Sequence, residues 1–154
     1  MSKVAPSPES GEKENVQIFP EQGKHLLRTK FYVPPIRSDQ IARPRLSELI
    51  NDGLDRALIL VSAPAGYGKT TLVSSWLKEK QIPSAWLSLD GGDNDPIRFL
   101  QYLLAALVPI APAIETDLFG MLQGIQPAQF ESVINILTNE LDSFSDPFIL
   151  VLDD

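Results

Sequence analysis

"ALILVSAPAGYGKTTLVSSWLKEK", residues Ala57 to Lys80, is the stretch whose reading decides the fold. Its first six residues, Ala57 to Ser62, are a short β-prone apolar run closed by a Pro/Gly turn, and predict a strand. From Lys69 to Lys80, Leu72, Val73 and Trp76 share one face while Lys78, Glu79 and Lys80 crowd the far end, which predicts a helix. Between the two, Gly66 and Gly68 let the backbone of Ala65, Gly66, Tyr67 and Gly68 curl so that successive N–H groups point inward. The helix starting at Lys69 adds its positive end, about half a charge. Together they form a nest for phosphate oxygens. Lys69 supplies a mobile charge for β and γ phosphates, and Thr70 a hydroxyl for Mg²⁺. The pattern is the Walker A form, G-x-x-x-x-G-K-[ST], with Ala63 in the first glycine position. If the backbone there needs positive φ, Ala63 costs about 1–2 kcal/mol; in the ordinary β region it costs nothing.

The flanking sequence continues the alternation. "SAWLSL", Ser84 to Leu89, predicts a second strand, and "DNDP" starts a helix with Asp95 as N-cap and Pro96 at its first position. Ile97, Leu100, Leu103, Leu104 and Leu107 follow at helical spacing. A proline-punctuated connection leads to a helix from about Pro127 to Phe144, with Phe130, Val133, Ile134, Leu137 and Leu141 as its stripe. "FILVLDD", Phe148 to Asp154, is the third strand. Apolar strands separated by helices imply an α/β fold with a parallel sheet covered on both faces. An apolar run ending in two acids is common by itself. Falling 84 residues after Lys69 and two strands later, it reads as a Walker B strand. Asp153 is then placed to hold Mg²⁺ through water, and Asp154 to orient or activate the attacking water.

Composition narrows the remaining classes. With 154 residues, 44% of them hydrophobic, the chain has room for one domain with a real core. It has no cysteine, which removes disulfides, thiolate zinc sites and a cysteine nucleophile and fits a cytoplasmic location. His25 is the single histidine and lies in a polar stretch, so a histidine metal cluster or Ser-His-Asp triad is out of reach. The N-terminus lacks the apolar core of a signal peptide, and the run from Leu103 to Ile114 is too short and too proline-rich to cross a bilayer. All 13 Lys and Arg lie at or before Arg98, and the 8 acids after it face no base. Without a basic stripe, direct nucleic-acid contact by this chain is not expected. Three zones result: a disordered tail over 1–24, a lead-in segment with an Arg-Pro-Arg motif over 25–57, and the nucleotide-binding part over 58–154.

"LLRTKFYVPP", "RPRL", "SAPAGYGKTTL", "AWLSLDGGDNDPIRFLQYL" and "FILVLDD", in that order, resemble the N-terminal ATPase module of MalT-like regulators of the LuxR family. These belong to the signal-transducing STAND class of P-loop ATPases. The resemblance spans about Leu26 to Asp154 and implies a partial P-loop NTPase three-layer fold. It implies ATP and ADP as ligands, with Lys69, Thr70 and Thr71 on phosphates and Mg²⁺, and Ile41 and Arg43 beside the adenine. The family's loop commonly reads A-P-A-G-x-G-K-T-T, so Ala63 matches it. Members continue past Walker B with a sensor strand, a winged-helix segment, a helical-repeat sensor and a DNA-binding helix-turn-helix. In this class the next strand lies between the P-loop and Walker B strands, so the chain is expected to be a truncated module with exposed strand edges. It is expected to bind ATP·Mg²⁺ weakly or not at all and to turn it over negligibly. In the parent, ATP is expected to act as a switch ligand favouring self-association, with slow hydrolysis resetting it. The role of "LDGGDNDP" does not follow from the resemblance, and the spacing fails an EF-hand, with Asp95 where Gly is required and Gln101 where Glu closes the site.

The rival reading is a small P-loop phosphotransferase, a nucleotide or metabolite kinase. Its lid needs basic residues downstream of the P-loop, and none follows Arg98. A third reading is a non-catalytic fragment that offers its sheet edges to a full-length partner.

Overall fold

The computed structural model describes residues 25–36, 40–112, 114–122, 124–126 and 129–154. The tail expected over 1–24 lies outside the described residues. A 3₁₀ turn, Arg28–Phe31, precedes helix α1, Pro44–Asn51, and helix α2, Lys69–Lys80. Strand β1, Ser84–Ser88, leads through a second 3₁₀ turn, Gly91–Asn94, into α3, Pro96–Leu107. Helices α4, Ile114–Leu122, and α5, Phe130–Asp142, then return the chain to β2, Ile149–Asp153.

β1 and β2 pair in parallel, with Ser84 opposite Ile149 and Ser88 opposite Asp153. Their alternation divides the core. Ala85 and Leu87 of β1, with Leu150 of β2, pack among α3, α4 and α5, where Leu100, Leu104, Leu107 and Leu118 are buried. Trp86, Ile149 and Val151 face the other way, against Ile50 of α1 and Trp76 and Leu77 of α2. Helices therefore cover both faces of the sheet, as the unbroken apolar strands predict. α2 starts at the expected Lys69, directly after left-handed Gly68, and ends at left-handed Gln81. α3 starts at Pro96 because the Asp95 carboxylate accepts from the Arg98 N–H at 2.7 Å, a cap that satisfies one of the orphan donors of the first turn.

Three expectations need correction. Ala57 to Ser62 is not a strand among the described residues. Leu58 is 80% and Leu60 82% exposed, and a groove of about 820 Å³ runs between this segment and β2. A strand is defined by its ladder partners, and the apolar run finds none here, since the nearest strand is paired along its other edge. The connection before α5 contains a helix of its own, α4, whose Leu118, Phe119 and Leu122 are buried against the main core; its prolines, Pro109 and Pro112, both precede it. On α5 the buried face runs through Val133 and Leu137 with Ile136 packed beside them, while Ile134 is 37% exposed. That helix begins at Phe130 and ends at Asp142, so Phe144 lies beyond it; Pro127 lies outside the described residues.

Candidate functional site

The glycine loop and the C-terminal end of β2 meet. Gly66 and Gly68 have φ of +82° and +80°, the left-handed region where an L side chain is strained. A Cβ on Gly66 would meet nothing within 4 Å, so the requirement is backbone conformation rather than space. Among the described residues Gln81 alone has positive φ without being glycine, so Ala63 sits in ordinary backbone and carries no penalty. The N-terminus of α2 has no side-chain cap. Its first-turn N–H groups, together with Thr71 at the mouth, thus face the loop without a protein acceptor from a side chain.

Two residues 83 positions apart define the centre. The Thr70 hydroxyl donates to Asp153, with its oxygen 2.8 Å from Oδ1 and 3.0 Å from Oδ2. Beside it Lys69 donates from Nζ to the Ala63 carbonyl at 3.2 Å and lies 3.9 Å from Asp154 Oδ1. Lys69 is partly buried whereas the Asp154 side chain is 85% exposed, so this outer pair is solvent-screened and weak. A hydroxyl and a carboxylate are hard oxygen donors, the set Mg²⁺ takes when phosphates and water complete its octahedron. Among the described residues no group of three or more His, Cys, Asp or Glu could enclose a metal. A cation held by Thr70 and Asp153 would thus draw its remaining ligands from water and a bound anion.

A cavity of about 660 Å³ opens on the other flank of the loop, a volume in the range of small-molecule sites. Gln40, Ile41, Arg43, Tyr67, Thr71 and Ser75 line it. Arg43 donates from Nη1 to the Tyr67 carbonyl at 3.0 Å, tying the lead-in segment to the loop. Ile41 is 81% exposed at the rim, and the Tyr67 ring is exposed beside it. The structure thus brings together Lys69, Thr70, Asp153 and Asp154 on one side, and Ile41, Arg43, Tyr67 and Thr71 on the other, with Ala65, Gly66 and Gly68 as the loop between. Sequence reasoning missed Gln40 and Ser75, whose pairing across 35 residues follows no periodic pattern.

"LDGGDNDP" is a structural clasp. The Asp90 carboxylate accepts from the Gly92 N–H at 2.7 Å and the Asp93 carboxylate from the Asp90 N–H at 2.7 Å, a reciprocal box that closes the 3₁₀ turn. Lys30, buried in the turn before α1, donates to Asp93 and sits 3.0 Å from Asp90. Its ammonium also lies 4.4 Å from the centre of the Tyr102 ring. Arg98 completes the cluster at 3.4 Å from Asp90 and 3.5 Å from Asp93. Burial by itself would lower the Lys30 pKa, but the hydrogen bonds to Asp93 and Asp90 outweigh it and hold the group above its ordinary value. Desolvation likewise opposes the Asp93 charge and loses to the Lys30 hydrogen bond, leaving that carboxyl below the usual range. Asp90 is lowered by Lys30 and by the Gly92 N–H. Of the three acids that invite a calcium reading, Asp90 and Asp93 instead neutralise Lys30 and Arg98, and Asp95 caps α3.

No family model matches the chain. It is 38% identical over 129 residues to the HTH-type transcriptional regulator MalT of Cronobacter sakazakii, a match that covers 84% of this chain and 14% of that protein. The MalT proteins of two Klebsiella pneumoniae strains are each 37% identical over 129 residues with the same coverage. The matched part of the chain thus spans about one-seventh of the length of these relatives.

Proposed function

We propose, from a chain that is MalT-like over 129 of its 154 residues, that this is the ATP-binding switch module of a bacterial transcriptional regulator. The observation that carries the reading is the Thr70–Asp153 contact at the mouth of a loop with two left-handed glycines. The hydroxyl that follows a phosphate-binding lysine and the acid that ends a parallel strand converge there from positions 83 residues apart. They are the pair a phosphate-bound Mg²⁺ requires. In this reading the partial sheet belongs to a P-loop NTPase fold, with Ala63 to Thr70 as Walker A and the end of β2 as Walker B.

The residues divide the work. Backbone N–H groups of the loop and the first turn of α2 hold the β and γ phosphates. Lys69 swings from the Ala63 carbonyl onto them, exchanging a neutral acceptor for an anionic one. Thr70 and Asp153 would hold Mg²⁺, which supplies charge neutralisation between the phosphate oxygens. Asp154, exposed and one residue further out, is placed to orient water. Ile41 and Arg43 form one wall for the base. The parent protein is proposed to reside in the cytoplasm, to self-associate when ATP is bound, and to contact DNA through other domains. Among the described residues no helix is long and apolar enough to cross a membrane.

A thermal-shift titration with ATP and Mg²⁺ tests the reading even for weak binding, because a ligand that binds only the folded state stabilises it by an amount that grows with the logarithm of one plus the ratio of ligand concentration to Kd. The melting temperature is expected to rise with ATP, and Lys69→Ala to abolish the rise. No rise in the parent sequence, or an undiminished one in Lys69→Ala, refutes it. Phosphate transfer to a panel of small acceptors is expected to be blank, which separates the switch from the phosphotransferase.

A further inference from the structure

We propose that Gln40 reads the base of the bound nucleotide, its side-chain oxygen accepting from the 6-amino group of adenine, and that Ser75 fixes the amide for this task. The proposal rests on the nucleotide-binding reading above and adds the specificity-determining residue.

Proton supply at Ser75 fixes which end of the Gln40 amide can face it. The Ser75 hydroxyl donates to the Thr71 carbonyl, one turn earlier on α2, at 2.5 Å. A serine has one proton to give, so toward Gln40 its oxygen acts as acceptor. The group facing it must therefore be the amide nitrogen, and Gln40 Nε2 does lie within hydrogen-bond distance of Ser75 Oγ. The two ends of a glutamine amide are thereby distinguished by chemistry rather than by shape. With the nitrogen committed to α2, Oε1 is turned away from it. That oxygen is shielded from bulk solvent and has no hydrogen-bond partner among the described residues. An acceptor left in that state costs about 1–3 kcal/mol. Its terminal torsion is soft, so a small rotation presents it to a ligand filling the cavity that Gln40 lines.

The position suits a base. The cavity extends from Gly66 and Gly68, at the phosphate loop, along α2 through Thr71 to Ser75, with Gln40 and Ser75 at the side remote from Lys69. A ligand whose phosphates lie in the loop and whose planar part lies between Arg43 and α2 brings its outer edge to Gln40. Adenine offers a donor there, its exocyclic amine; hypoxanthine and guanine offer a carbonyl at the same place. An unpartnered acceptor rewards the first and repels the second, and sites built to bond one polar group discriminate strongly against its absence.

ATP and ITP differ at this edge, where a 6-amino group is replaced by a 6-oxo group, and are the probes of choice. Dissociation constants for both are measured by equilibrium titration of the purified chain in the presence of Mg²⁺, with nucleotide raised from well below half-saturation to saturation. The parent sequence is expected to prefer ATP by at least about tenfold. Gln40→Leu should bring the two constants to within about twofold, chiefly by weakening ATP, while still melting in one cooperative transition in the absence of nucleotide. Ser75→Ala, which leaves Gln40 in place but frees its amide to turn over, should reduce the preference to an intermediate value. Equal affinities in the parent, or a preference that survives Gln40→Leu, overturns the base-reading role while leaving the phosphate site intact if Lys69→Ala still weakens both nucleotides. Absence of binding of either nucleotide overturns both readings.

Discussion

Thr70 and Asp153 contribute to the folded protein before any ligand arrives. Their hydrogen bond is charge-assisted and only partly buried, and closes a loop of 83 residues between the start of α2 and the end of β2. Replacing Thr70 by Val is expected to lower folding stability by about 1 kcal/mol, the ordinary yield of such a bond after water has competed for it, read as a shift in the urea midpoint. Asp153→Asn keeps the shape and removes the negative charge. It should leave stability nearly intact while making the ATP-dependent melting shift insensitive to Mg²⁺; a Mg²⁺ response that survives would show that the cation is not held by Asp153. At this scale the sequence was legible where spacing carries chemistry. Glycines two apart before Lys-Thr, and an apolar run ending in acids, each restrict the backbone or the charge in a way that few folds share. Gln40 with Ser75 and Lys30 with Asp93 were not legible, because a hydrogen bond between residues 35 or 63 apart leaves no pattern on either side of the chain.

The elements around the clasp have a pH signature. Lys30 joins the first 3₁₀ turn to the second, and the second to α3 through Arg98 and Asp90. Asp90 and Asp93 have folded pKa values below their ordinary ones, so their contribution is present above the ordinary carboxylate value and disappears as pH falls through the lowered one. Lys30 is raised, so its contribution is complete below the ordinary lysine value and fades as pH climbs through the raised one. The clasp is therefore intact across the interval from about pH 4 to about pH 10. Lys30→Met should cost about 2 kcal/mol at neutral pH, less than a fully isolated buried charge would cost because Arg98 remains beside Asp93. The gap between variant and parent should narrow in melting curves taken below about pH 4, as the pH falls toward the lowered carboxyl values and the acids take up protons. A gap that stays constant into acid would place the effect of Lys30 in packing against Tyr102 instead. Element boundaries here followed the local rules closely where a cap was visible in the sequence, as at Asp95 and Gly68. They departed where burial decided: α4 formed in a stretch punctuated by prolines at its entrance, and α5 turned Ile136 rather than Ile134 toward the core.

At the scale of the whole molecule, the segment from Ala57 to Ser62 has the composition of a central strand and the surroundings of a loop. Its apolar residues were chosen for burial on both faces, yet Leu58 and Leu60 stand almost fully in solvent, and Leu152 of β2 is 47% exposed across the groove. This is why the sheet read as three-stranded from sequence and holds two strands among the described residues: β-propensity reports fitness for a sheet surface, and only pairing makes the strand. The helical layers do not depend on that pairing, so α1 and α2 still close over Trp86, and the glycine loop keeps its left-handed turns. The consequence is physical and measurable. The outer edge of β2, unpaired among the described residues, and the apolar segment across the groove, lined by Leu58, Ile59, Leu60 and Leu152, form a surface that other chains can complete by strand addition. The purified chain should therefore associate in a concentration-dependent way, seen as a rising weight-average mass in sedimentation equilibrium. Leu60→Lys places a charge on the most exposed apolar side chain of the groove. It should shift the chain toward monomer with a melting temperature within about 2 °C of the parent, since an 82% exposed leucine contributes little to folding. Unchanged association in Leu60→Lys, with Leu58→Lys behaving alike, would locate the contact elsewhere on the molecule.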